Sequence, residues 1–268
     1  MSTATTPVTT ADRVRAIVVL VAVPATLLGA ALGSGLLGGG TAEGVGEGAF
    51  ASNATPLAPG GPAFSIWSVI YLGLTAYGIW QVLPRNHADP RQRQMGWLAL
   101  ASLVLNAAWI LASLANAVAL TVVIIVALLL SLIAIFEVLR RIRPRSFVET
   151  VVVDGTFGLY FGWVCVATVA NVAAWLADMG LRIEAFDVPA AIVLAVVGAI
   201  GVAIALRGRG RIGPMLSIAW GVSWIAIARA TDEPASMTVA VVAAIVAAIV
   251  VATTIAVRAR SHRQPVRA

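Results

Sequence analysis

The sequence predicts an all-α polytopic membrane bundle of about eight transmembrane helices, and three observations predict it. Of the 268 residues, 60% are hydrophobic and 11% charged, more apolar surface than a water-soluble globule of this size can bury. The apolar residues gather into uncharged runs of about 20, the length at which a helix crosses the hydrocarbon of a bilayer. The basic residues, all arginine, cluster at alternate ends of those runs, as in a chain that crosses repeatedly.

The runs fall at roughly 14–36, 64–83, 96–115, 117–139, 148–176, 188–206, 213–230 and 236–257. The first follows Arg13 and Arg15, and its apolar stretch, 16–37, exceeds the 7–15 residues of a signal-peptide core, which favours an uncleaved helix. Pro24 inside it removes one hydrogen bond and predicts a kink. The loop 38–62 is rich in glycine and holds Pro56, Pro59 and Pro62. Such a segment is irregular and is either a linker or a lid folded over the bundle's mouth. The third and fourth runs are separated only around Asn116; one helix there would need about 44 residues, twice the membrane's thickness, so they form a hairpin.

The later runs carry charges that need partners. Glu149 opens the fifth, where the helix dipole and Arg145 account for it. Asp154, about two turns in, is either a functional carboxylate or a partner of the boundary arginines. Arg229 lies one turn inside the seventh and is expected to snorkel or to pair with Asp232 or Glu233. Trp220 and Trp224 share a face of that run with Ser217 and Ile227, which suits packing against the rest of the bundle. Trp80, Trp97 and Trp175, near run ends, read as interfacial belt residues.

Charge placement predicts orientation. The arginine groups from Arg13 to Arg267 fall on one side of an eight-helix path, except Arg182 and Arg229; the other side carries Glu43, Glu47, Asp178, Glu184, Asp187, Asp232 and Glu233. Both termini are therefore expected in the cytoplasm, in the plasma membrane of a bacterium. The net charge of +6 follows from topology, so no nucleic-acid partner is expected. His87 and His262 are too few and too far apart for a metal site, and a single cysteine, Cys165, permits no internal disulfide. No nucleophile–histidine–acid set can be assembled and no cofactor is called for. The triplet Asn53-Ala54-Thr55 matches a glycosylation acceptor, a pattern of low specificity.

Large rings and amides inside apolar spans are costly in lipid unless they pack against protein. Phe64, Trp67, Tyr71 and Gly78 share one side of the second run, Ser102, Asn106, Trp109 and Ser113 one side of the third, and Thr156, Tyr160, Trp163, Ala167 and Asn171 one side of the fifth. The candidate ligand-binding residues are Trp67, Tyr71, Asn106, Trp109, Tyr160, Trp163 and Asn171. Trp67, Tyr71 and Trp163 would stack on a planar apolar ligand. Asn106 and Asn171 would either orient it or stabilise the packing that shapes its site.

At these positions the chain resembles the tryptophan-rich sensory protein family, also called the translocator protein or peripheral benzodiazepine receptor family. The matching segments are Trp67-Ser68-Val69-Ile70-Tyr71, Leu105-Asn106-Ala107-Ala108-Trp109, and the stretch from Tyr160 through Trp163, Ala167 and Thr168 to Asn171. The last is similar to the family's Tyr-x-x-Trp-x-x-x-Ala-Thr-x-x-Asn pattern. The resemblance spans roughly 14–176 and implies a five-helix bundle over 1–176, with three additional helices and a basic tail in 177–268. It implies binding, sensing or movement of a porphyrin-like or sterol-like molecule among the first, second and fifth helices, under the loop joining the first two. A homodimer is compatible with this reading. The alternative is a proton-coupled carrier or intramembrane enzyme centred on Asp154. Two features depart from the family: the loop contains no tryptophan, and Leu159 stands where a proline commonly precedes the fifth-helix tyrosine.

Overall fold

A computed structural model describes residues 7–33, 48–181 and 185–263. Glu43, Glu47, Arg182, Glu184 and Arg267, together with residues 38–47 of the long loop, lie outside the described residues. The described chain is all helical. Its eight long helices are α1 (Thr10–Gly33), α2 (Ile66–Gln81), α3 (Pro90–Leu114), α4 (Val118–Arg141), α5 (Phe147–Asp178), α6 (Asp187–Arg207), α7 (Ile212–Thr231) and α8 (Met237–Arg263). Seven of them, α2 to α8, are long and apolar enough to cross a membrane. With α1 packed along α3, the chain is an integral membrane bundle.

Helix ends pass beyond the apolar runs because hydropathy senses bilayer thickness, not hydrogen bonding. The third run was expected from 96, but α3 starts at Pro90. Asp89 caps it, accepting hydrogen bonds from the amides of Arg91 (2.7 Å) and Gln92 (3.3 Å), and Pro90 at the first helical position loses no needed donor. The hairpin between α3 and α4 turns at Asn116, whose φ of 54° is the left-handed conformation asparagine tolerates. α5 begins with Ser146 accepting from the Glu149 amide (3.1 Å) and then passes through a π-helical turn, Thr150–Gly155. No sequence pattern announced that turn.

The interior has two apolar cores. One, shared by α1 to α5, contains Ile70, Leu74, Tyr77, Met95, Leu103, Leu132, Tyr160 and Trp163. The other, formed mainly by α6, α7 and α8, contains Leu194, Val197, Ile218, Val222, Ala243 and Val250. They meet where α5 crosses α7. A Cβ on Gly158 would stand 3.1 Å from the Gly213 Cα, and one on Gly162 would stand 2.2 Å from the Ser217 Oγ. Small residues four apart on both helices bring the backbones this close, the usual basis of tight packing in lipid. Trp80 corrects the belt expectation: it is buried in the first core.

One end of the bundle is a layer of ion pairs. Asp12 binds Arg15 (3.0 Å) and Arg93 (2.6 Å), joining α1 to α3. The Arg93 guanidinium holds the Asp12 carboxyl well below the usual carboxylate range, against the opposing effect of burial. This tie is present above the ordinary carboxylate range and is lost only as the pH falls into strong acid. Glu137 joins α4 to α6 through Arg207 (2.5 Å). Arg91, which is 1% exposed, binds Glu149 (2.5 Å) and Asp154 (2.8 Å), and Asp154 also binds Arg211, the residue that precedes α7. Glu149 has the expected partner in Arg145, through its amide (2.9 Å) and its Nε (3.6 Å), and Arg91 is a closer one that was not foreseen. The π turn carries Asp154 between α3 and α7.

Candidate functional site

The seven candidate residues come together at the end of the bundle opposite the ion pairs. Trp67 stacks on Tyr71 (centroids 5.3 Å, 19° between planes) and presents its edge to Tyr160 (5.8 Å) and Trp163 (6.2 Å). The Tyr71 hydroxyl donates to the Asn106 Oδ1 (3.1 Å), and the Tyr160 hydroxyl to the Ser102 carbonyl (3.2 Å). The Trp109 Nε1 donates to the Asn171 Oδ1 (2.7 Å), whose Nδ2 donates to the Thr121 hydroxyl (2.8 Å). Asn171 thus bridges α3, α4 and α5. These bonds join helices to one another, as one of the two expectations for the amides has it.

A cavity of about 50 Å³ lies against this cluster. Trp67, Asn106, Trp109, Trp163 and Asn171 line it directly, while Tyr71 and Tyr160 stand behind Trp67 as buttresses. Ile125 and Leu128 of α4 close one wall, and Ala167, Ala170 and Ala174 leave room along α5. Among the described residues α1 contributes nothing to the lining, so the cavity sits among α2 to α5. The resemblance had implied the first, second and fifth helices. Here α1 packs instead against α2 and α3, with Gln81 donating to the Ala16 carbonyl (2.8 Å) and Thr26 to the Leu103 carbonyl (3.3 Å).

The described part of the long loop covers the cavity. Ala49, Phe50, Thr55, Ala58 and Pro59 form its roof, with the Phe50 ring 5.4 Å from Trp109. Of the two readings of this loop, linker or lid, its position is that of a lid. On the lid's other flank lies a wider cleft of about 520 Å³, bounded by Leu57, Ala173, Leu176, Phe186 and Val193. Thr55 borders both spaces.

Sequence reasoning missed what holds the lid. Arg229 does not snorkel, and among the described residues it forms no ion pair with Asp232, Glu233 or any other carboxylate. It is fully buried and donates to the backbone carbonyls of Thr55 (3.0 Å), Ser52 (2.8 Å) and Glu233 (3.4 Å). Two further bonds continue the attachment: the Gly60 amide donates to the Trp224 carbonyl (3.2 Å), and the Trp220 Nε1 to the Ala63 carbonyl (2.9 Å). Trp220 and Trp224, in edge contact at 5.7 Å, are thus packing residues, as their shared face suggested. An arginine in an apolar span was a visible signal, but carbonyls more than 170 positions away in sequence were not.

Two polar atoms near the cavity remain without partners: Trp163 Nε1 and Thr55 Oγ1 are buried and unbonded among the described residues. Leaving a buried polar group unpaired costs about 1–3 kcal/mol.

The family model for TSPO-like protein matches residues 16–256. The match extends beyond the 14–176 over which the motifs were found and takes in most of the last three helices. No curated protein and no solved structure matches the chain.

Proposed function

The chain belongs to the TSPO-like protein family, and from that premise we propose that it binds a planar hydrophobic small molecule beneath the lid, in order to sense or move it. One observation carries this reading. Trp163 lines the cavity and its buried indole N–H has no partner among the described residues, whereas the Trp109 N–H, the Asn106 Oδ1 and the Asn171 amide are already bonded to protein. A ligand with a flat apolar body and a hydrogen-bond acceptor would occupy the aromatic wall and satisfy that donor. Porphyrin-like and sterol-like molecules both meet this description.

A space of about 50 Å³ holds a few waters, while ligand sites are commonly about 300–1,000 Å³. Binding therefore requires the lid to be displaced. Orientation follows the arginines: the ion-paired end, with both termini, lies in the cytoplasm, and the lid faces the opposite side of the plasma membrane.

Tryptophan fluorescence titrated with protoporphyrin tests the reading. Saturable quenching is expected in the wild type. Trp163→Phe, which keeps a ring and removes the N–H, should weaken binding about 5- to 100-fold, and Trp163→Ala should remove it. Wild-type protein without saturable quenching would rule out a porphyrin-like ligand, and unchanged affinity in Trp163→Phe would sink the role given to the donor.

The reading centred on Asp154 is weaker because that carboxylate sits between Arg91 and Arg211, at the end remote from the cavity. Paired in this way it ties α3 to α7. Asp154→Asn is therefore expected to lower thermal stability in detergent by about 1–3 kcal/mol and to leave ligand affinity unchanged. Intact stability with lost function would favour a proton carrier instead.

A further inference from the structure

A third space, of about 360 Å³, opens at the ion-paired end, between the end of α2 and the start of α5. Arg85, Arg145, Ser146 and Val148 border it, and Trp80 and Glu149 also line it. The negative charges nearby are occupied. Glu149 is bound to Arg91 at 2.5 Å, and Asp89 is bound to Arg145 at 2.6 Å and caps α3. Arg85 is exposed and has no ion-pair or hydrogen-bond partner among the described residues. Arg145 is half exposed, and its bonds use Nε and Nη2, leaving Nη1 open.

Apolar side chains stand exposed beside these cations. Leu83 is 37% exposed, Phe147 81% and Val148 52%. In a helix bundle of this kind such residues face acyl chains, and a basic cleft next to them lies at the depth of the lipid phosphates. We propose that this cleft is a binding site for the phosphate of an anionic membrane lipid. Arg85 and the free Nη1 of Arg145 take the phosphate, and Leu83, Phe147 and Val148 take the upper part of the acyl chains. The two arginines come from different helix connections, so the bound lipid also clamps the α2–α3 turn to the start of α5. None of this depends on the cavity under the lid.

The full-length protein, purified in a non-ionic detergent, can be titrated with phosphatidylglycerol or phosphatidylcholine and the bound lipid measured by native mass spectrometry. Phosphatidylglycerol is expected to bind at least fivefold more tightly than phosphatidylcholine. Arg85→Gln should remove about fivefold of that affinity, the effect of one basic residue near a lipid phosphate, and Arg85→Glu should remove more. Both variants should fold normally, since Arg85 has no partner within the described protein. Arg260→Glu, at the same end of the bundle but on α8, should bind phosphatidylglycerol as the wild type does. Equal affinity for the two lipids, full affinity in Arg85→Glu, or an equal loss in Arg260→Glu would overturn the proposal. So would displacement of the lipid by millimolar inorganic phosphate, which would mark a site for soluble anions.

Discussion

Replacing Arg229 with leucine is expected to release the lid. The substitution removes the donors to Ser52 and Thr55 (2.8 and 3.0 Å), and bonds from a charged group contribute about 1.5–3 kcal/mol each. Allowing for partial rearrangement, lid opening should become easier by about 2–4 kcal/mol, or roughly 30- to 1,000-fold in the open population. Hydrogen exchange at the amides of residues 52–55, 57, 58 and 60 reads this directly, and faster association of a quenching ligand should accompany it. Arg229→Lys should fall between the two, because an ammonium cannot span the carbonyls as a guanidinium fork does. If exchange at the lid stayed at the wild-type rate while the whole protein lost stability, Arg229 would be a core residue without a latching role.

Gly162→Ala should damage the bundle although it adds a single methyl group. The added Cβ would lie 2.2 Å from the Ser217 Oγ and 2.4 Å from the Pro214 carbonyl oxygen. A backbone oxygen cannot swing aside, so α5 and α7 must move apart along a contact in which Gly158 and Gly213 also touch. Overpacking of this kind costs about 1–3 kcal/mol. Gly29→Ala, inside α1, whose added Cβ meets nothing within 4 Å, is the matched control and should not destabilise the protein. Thermal unfolding in detergent compares the two, and equal midpoints would contradict the close crossing. Since Trp163 is the next residue and α7 holds the lid, Gly162→Ala should also weaken ligand binding.

The spans, the hairpin at Asn116 and the aromatic faces were readable because each follows from local physics. Uncharged length identifies a crossing, and a 100° step per residue places Tyr160, Trp163 and Asn171 on one face. What the sequence could not convey was the choice of partner among distant groups. Arg229 was recognisably expensive, yet its partners are carbonyls of a loop with no motif. Asn106 and Asn171 were recognisably polar, yet whether they serve a ligand or other helices depends on the positions of Tyr71, Trp109 and Thr121. Trp80 looked interfacial because it lies near the end of α2, but the approach of neighbouring helices buries it. The π turn before Gly155 depends on how the start of α5 meets α2, α3 and α7, which no short window of sequence contains.

The attachment of the lid is addressed to main chain throughout: carbonyls of Ser52, Thr55 and Ala63 and the amide of Gly60. Bonds of that kind place no demand on the lid's own side chains, and among those the apolar contacts of Phe50 with Trp109 and of Leu57 with the second core add to the hold. Away from Phe50 and Leu57, substitutions can accumulate so long as the backbone path survives, while Arg229 and Trp220 on α7 cannot change without loosening it. A roof of mostly small residues and proline with no tryptophan is what such freedom permits, and it moves much of the burden of keeping the lid closed from the loop onto a helix far along the chain.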